Sequence, residues 1–282
     1  MRTLNDLAQL QVHQRGWAAT RGFLPGERDY LTTVDDNLLF PLSAPARGQY
    51  NNGRGSELRD QPKYPSKMRA LHSSSALVVN VFDYWTLIDK SLLSRALGID
   101  PPATYLEFEY QPPLPTGTTP PNLDVRLIQS SGHGIAVESK FTEWTHHKGS
   151  SKSPFSERYF SGPNLWSNCG LDRCQKLAES LHKPDDDTAL FTCLDAPQLL
   201  KHALGLANTL QERFDLWYVF YDFFDPQAKQ HRDEIEQFKE AVGAELRFKV
   251  LTYQEVFAGL CREVPSQDAD YLRRLNERYA LG

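Results

Sequence analysis

The chain has 282 residues but only four cysteines, and Cys169, Cys174, Cys193 and Cys261 form no CxxC pair and no paired framework. That excludes a disulfide scaffold and the usual zinc-binding spacings; even Cys169, Cys174 and His182 taken together match none of them. The thiols read as reduced and mostly buried. No stretch approaches the roughly 18 apolar residues of a membrane span. Met1 to Gln14 carries Arg2, Asp6 and His13 where a secretion signal would be apolar, so the expectation is a cytoplasmic location with no membrane partner. There is no excess of positive charge. Lys and Arg number 31 against 36 Asp and Glu, a net charge of −5, which excludes coating of nucleic acid by charge alone. There is no GxxxxGK[ST] phosphate loop, which argues against an NTP-driven machine within this chain. Zinc-finger and homeodomain patterns, internal repeats and low-complexity tracts are absent as well.

What is present is ordinary globular composition, 40% hydrophobic and 24% charged, in a chain long enough to bury a core unaided. Residues 1–72 read as an N-terminal helix and a loop-rich extension packed on the core, punctuated by Pro25, Pro41, Pro45, Pro62, Pro65, Gly48, Gly53 and Gly55. Residues 73–282 read as the main domain. Ser73 to Ser75 offer N-caps for a helix over Ala76 to Leu97, apolar on most sides and therefore buried, stopped by Gly98 and Pro101. Three strands follow, Tyr105 to Tyr110, Leu123 to Ile128 and Ile135 to Phe141, as a meander. A polar and aromatic loop, 142–167, precedes helices over Gly170 to His182 and Ala196 to Arg213. Then come a strand Leu216 to Phe223, a helix Gln230 to Val242, a strand Leu246 to Thr252, a short helix Tyr253 to Cys261 and a tail helix Ala269 to Leu281. The fold class is α/β, a central mixed β-sheet flanked by helices.

Side chains alternate across a strand. Ile135, Val137, Ser139 and Phe141 share one face, and Ala136, Glu138 and Lys140 share the other. On the preceding strand Leu123, Val125 and Leu127 form the apolar face while Asp124 and Arg126 point the other way. Pairing through the turn at Gly132 and Gly134 brings Asp124 toward Glu138 and Lys140. Two carboxylates are natural Mg²⁺ ligands, and a neighbouring ammonium offsets negative charge developing on a phosphoryl group. Paired acids also serve glycoside hydrolysis, for which the adjacent lysine is less natural. The bland alternative is a surface salt bridge between Glu138 and Lys140.

The pattern Asp124, 13 intervening residues, then Glu138-Ser-Lys140 resembles the PD-(D/E)XK nuclease superfamily, the restriction-endonuclease-like fold. The buried helix, the meander carrying the acidic residues and the helices and strand that follow are similar to its core. Gly53 to Leu58, Ser73 to Leu77 with Asn80, and Glu107 to Tyr110 resemble a bacterial branch of it, so that the similarity covers about residues 53 to 260. One departure is Leu123, where the family often has proline; Pro121 lies three positions before Asp124. The resemblance implies a restriction-endonuclease-like core and a Mg²⁺-dependent nuclease, with Mn²⁺ as a substitute, acting on DNA in restriction, defence or repair. Asp124 and Glu138 would hold metal and Lys140 would position the nucleophile. The alternative is a catalytically silent nuclease-fold module that binds nucleic acid or protein.

Other residues have two readings each. Glu57 is a supporting catalytic carboxylate or a solvated loop charge, with Glu109 as an alternative to it. Asn80, polar within an apolar helix, orients the site toward substrate or satisfies nearby backbone. Gln175 resembles the helix glutamine of some nuclease branches, or is an exposed helix residue. The cations from Arg47 to Arg69, and Lys140, Lys148, Lys152 and Arg158, contact phosphates or are solvated faces. His133, His146 and His147 read as loop residues within reach of substrate. Trp144, Tyr159, Phe160 and Trp166 stack on bases or pack beneath the loop. A homodimer would let both strands be cut, with the tail helix either dimerising or packing on its own domain.

Overall fold

The computed structural model describes residues 6–53, 55–145, 153–162, 164–183, 191–265 and 268–279. A five-stranded sheet runs in the order β1-β2-β3-β4-β5, comprising Ala103–Tyr110, Leu123–Gln129, Gly134–Lys140, Phe214–Phe220 and Phe248–Thr252. The first three strands are antiparallel to one another; β4 and β5 are parallel to β3. This is the mixed sheet of a restriction-endonuclease-like core. The turn from β2 to β3 needs Gly132, which sits at φ +79°, a region open to glycine at little cost. Central β3 is covered on both faces, every residue from Gly134 to Ser139 being buried.

Helix α1 (Leu7–Thr20) opens the chain and α2 (Ala44–Asn52) follows. The sequence reading expected only loop at α2. Pro45 looked like loop punctuation, yet it occupies the first turn behind the Ser43 N-cap, where proline has no amide to lose. Helix α2 covers the outer edge of β1, and Gln49 Oε1 accepts from the Phe108 amide at 2.8 Å, which closes a sheet edge that would otherwise be open.

The single helix expected over Ala76 to Leu97 is two helices, α3 (Ser74–Phe82) and α4 (Ser91–Leu97), separated by a 3-10 turn over Asp83–Trp85. The interruption has local causes. The Asp83 carboxylate accepts from the Ser43 amide at 2.8 Å and its hydroxyl at 2.6 Å, and Lys90 Nζ donates back to the carbonyls of Thr86 and Ile88. Ser73 caps α3 and Gly98, at φ +69°, ends α4. Helix α3 is buried from Ser75 to Phe82, as an element apolar all round must be.

Helices α5 (Asp172–His182) and α6 (Ala196–Leu210) connect β3 to β4, and α7 (Ala228–Val242) connects β4 to β5. Its buried positions Ala228, His231, Ile235, Phe238 and Val242 recur at helical spacing. Helix α8 (Tyr253–Glu263) leaves β5 through a capping box in which Thr252 and Glu255 bond reciprocally. Helix α9 (Ala269–Tyr279) buries Tyr271, Leu275, Arg278 and Tyr279 within its own chain. Tyr271 donates to the Val81 carbonyl at 2.8 Å, and Gln14 Nε2 donates to that of Arg278 at 2.8 Å. Among the described residues no helix is long and apolar enough to cross a membrane.

Candidate active site

The sheet register produces the centre of the site. Val125 pairs with Val137 and Arg126 with Ala136; continued by one residue, the same register sets Asp124 opposite Glu138. Asp124 Oδ2 accepts from the Ser139 amide at 2.7 Å, so the carboxylate is anchored to the strand that carries Glu138 and Lys140. Two residues along β3, the Lys140 ammonium pairs with Glu138 Oε1. Glu138 is 1% exposed. Ser139, between them, points to the opposite face and bonds the Tyr253 hydroxyl at 2.6 Å. The structure thus brings Asp124, Glu138 and Lys140 together on one side of the sheet.

Electrostatics divide the labour between the two acids. Burial opposes ionisation of Glu138, but Lys140 and then His202 outweigh it and hold the carboxyl down at about 2. Asp124 is pushed well above the usual carboxylate range by burial and by the charge of Glu138 beside it, with Lys140 and the Ser139 amide pulling back. Burial alone would lower Lys140; Glu138 and Asp124 reverse that and hold it charged.

Glu57 and Glu109 lie close together beside this centre. A Cβ on Gly53 would stand 2.7 Å from Glu109 Oε2, and one on Gly55 would stand 2.8 Å from Glu57 Oε1. The two glycines are therefore the floor against which both carboxylates rest. Glu57 accepts from Lys67 Nζ at 3.1 Å and Ser75 Oγ at 2.9 Å. Glu109 takes the Asn122 amide, and its carboxyl is raised to about 7 by burial and then by Glu57, with a smaller contribution from Glu138.

Other residues singled out in the sequence have partners of their own. Asn80 accepts from the Leu39 amide at 2.7 Å and donates to the Asn37 carbonyl and the Tyr279 hydroxyl; its amide ties the N-terminal extension and α9 to α3. Gln175 is on α5, donating to Glu179 of the same helix at 2.8 Å. Of the cations, Arg69 pairs with Asp60 and Lys67 with Glu57. Trp144, Tyr159 and Trp166 are buried, with both indole N–H groups on backbone carbonyls, so they pack rather than present faces to bases. His133 bonds Asp215 at 3.1 Å. Arg54, His146, His147, Lys148 and Lys152 fall outside the described residues.

Two residues on α6 complete the centre and were not picked out from the sequence. Gln198 Oε1 accepts from Lys140 Nζ at 3.3 Å, and His202 Nε2 reaches Glu138 Oε2 at 3.0 Å. Their four-residue spacing puts both on one helix face. The available signal was two polar residues among Leu199, Leu200, Ala203 and Leu204 on a helix that must bury that stripe.

Among the described residues no three His, Cys, Asp or Glu side chains stand close enough to form a metal cage from protein alone. Asp124 and Glu138 nevertheless offer hard oxygen donors. The raised Asp124 carboxyl marks a place where a second negative charge is resisted and a cation would relieve it. A Mg²⁺ ion suits such a pair, since it keeps most of its shell for water and phosphate oxygens.

A family model described as "Restriction Endonuclease associating with ARP" matches residues 9–280. No curated protein and no solved structure matches the chain.

Proposed function

Because the chain belongs to the family of restriction endonucleases associating with ARP, we propose that it is a Mg²⁺-dependent endonuclease that hydrolyses DNA phosphodiester bonds at Asp124, Glu138 and Lys140. The observation that carries this reading is the convergence of a buried ionised carboxylate, a second carboxyl held back by it and a charged ammonium on neighbouring strands. Asp124 and Glu138 would hold the metal, with Mn²⁺ able to substitute. Bound there, the ion supplies a polarised phosphoryl group and a water of lowered pKa. Lys140 brings N–H donors and a fixed positive charge to the place where negative charge grows during attack, in a setting too dry for solvent to screen it. Gln198 accepts one of those N–H groups, which sets the direction of the rest. Glu57 and Glu109 form a supporting acidic wall. The family description speaks of association with ARP, so the proposal includes association with ARP.

The test is divalent-metal calorimetry with Mg²⁺ and Mn²⁺, alongside incubation with plasmid and single-stranded DNA. The proteins are wild type, Asp124→Asn, Glu138→Gln and Lys140→Met. Metal binding lost in both carboxylate variants and cleavage lost in all three is the expected result. Metal and DNA binding without cleavage would replace the nuclease reading by a silent binding module. Three variants indistinguishable from wild type would reduce Glu138–Lys140 to a salt bridge.

A further inference from the structure

His202 is fully buried, 0% exposed, on a helix whose other buried residues are alanine, leucine and glycine. Apolar packing alone would favour leucine at such a position, because a buried imidazole must satisfy its polar atoms. Nε2 reaches Glu138 Oε2 at 3.0 Å, while Nδ1 has no hydrogen-bond partner among the described residues. The ring is therefore held by its bond to Glu138. An ionised carboxylate only accepts, so Nε2 carries the proton and donates.

The consequence is geometric. Lys140 takes one oxygen of Glu138 and His202 takes the other. A carboxylate held at both oxygens cannot rotate about its last torsion, which is otherwise broad. Each oxygen keeps a second lone pair for a cation. Lys140 is on the same strand as Glu138, whereas His202 comes from α6, so the imidazole couples the helix to the carboxylate plane. Gln198, one turn earlier, does the same for Lys140.

We propose that His202 is a positioning residue: by donating from Nε2 it fixes the rotamer in which Glu138 presents its oxygens to a divalent cation. This rests on the metal-site reading of Asp124 and Glu138. An outer partner of this kind contributes about 10- to 100-fold to metal affinity or activity.

The test uses the full chain and Mg²⁺ or Mn²⁺ alone, read by calorimetry, with His202→Gln and His202→Met. Glutamine keeps a donor able to reach Glu138; methionine fills the volume without one. Metal affinity weakened about 10-fold or more in H202M and restored to within a few-fold of wild type in H202Q is the expected pattern, at similar thermal stability of the two. Equal affinities in wild type and H202M would overturn the positioning role while leaving the metal site standing. A wild type that binds neither ion would overturn both. If H202M does not fold, the imidazole ¹⁵N spectrum of the wild type decides. An Nε2-protonated ring whose signal moves on saturation with Mg²⁺ supports the role; a signal that does not move overturns it.

Discussion

Replacing Glu109 by glutamine removes a charge without changing shape, and the surroundings specify how much that is worth. Glu109 is the penultimate residue of β1, at φ 56°, and is 9% exposed. Burial, followed by the charge of Glu57, raises its carboxyl from 4.5 to about 7, against the pull of Asn122 and Lys67. A folded-state pKa above the unfolded value means that the folded protein binds this proton more tightly. The favourable contribution is complete below the unfolded pKa and disappears as pH rises through about 7. At about 1.4 kcal/mol per pKa unit, ionising Glu109 costs the fold about 3 kcal/mol once pH exceeds 7. Urea unfolding of the metal-free chain in chelator measures it. At about pH 8, Glu109→Gln is expected to exceed wild type by about 3 kcal/mol, and at about pH 4 the two converge. The comparison cancels the titrating groups that do not interact with Glu109. A difference that is the same at both pH values, or a variant less stable at the higher one, would refute the account of Glu109 as a buried carboxyl crowded by Glu57.

Four further outcomes follow from particular contacts. Gln198→Ala is expected to slow DNA cleavage about tenfold or more, by freeing Lys140, while Gln175→Ala leaves the rate unchanged; initial rates on plasmid check both. Glu234 accepts the amides of Thr192, Cys193 and Leu194 at 2.8 to 3.0 Å and so fixes the approach to α6. Glu234→Ala strands those donors and is expected to cost about 3 kcal/mol in urea unfolding. Gly259→Ala would put a Cβ 2.2 Å from the Ala96 carbonyl oxygen where α8 crosses α4. Because the obstacle is backbone, an overpacking loss of about 2 kcal/mol is expected, read as a drop of about 5 °C in Tm.

The sequence alone determined the elements whose signals are local. Period-two alternation located β1, β2 and β3 and assigned Glu138 and Lys140 to one face, because a strand leaves no other choice. Gly98 marked the end of α4 through its backbone freedom, and the apolar run from Ala76 announced a buried helix. Where the reading went astray, a distant partner was responsible. The break after Phe82 depends on Asp83 meeting Ser43, and α2 depends on β1 offering an edge to cover; neither relationship can be seen in a window of neighbouring residues. The candidate site divides in the same way. The meeting of Asp124, Glu138 and Lys140 was legible because two adjacent strands and one turn set their register. Gln198 and His202 lie about 60 residues further on, and a polar residue in an apolar helix carries no label for what it will face. The close approach of Glu57 and Glu109 through Gly53 and Gly55 was likewise decided in three dimensions. Local geometry sets the direction in which a side chain leaves the backbone, whereas what it meets, and hence its charge state, depends on packing between segments far apart in the chain.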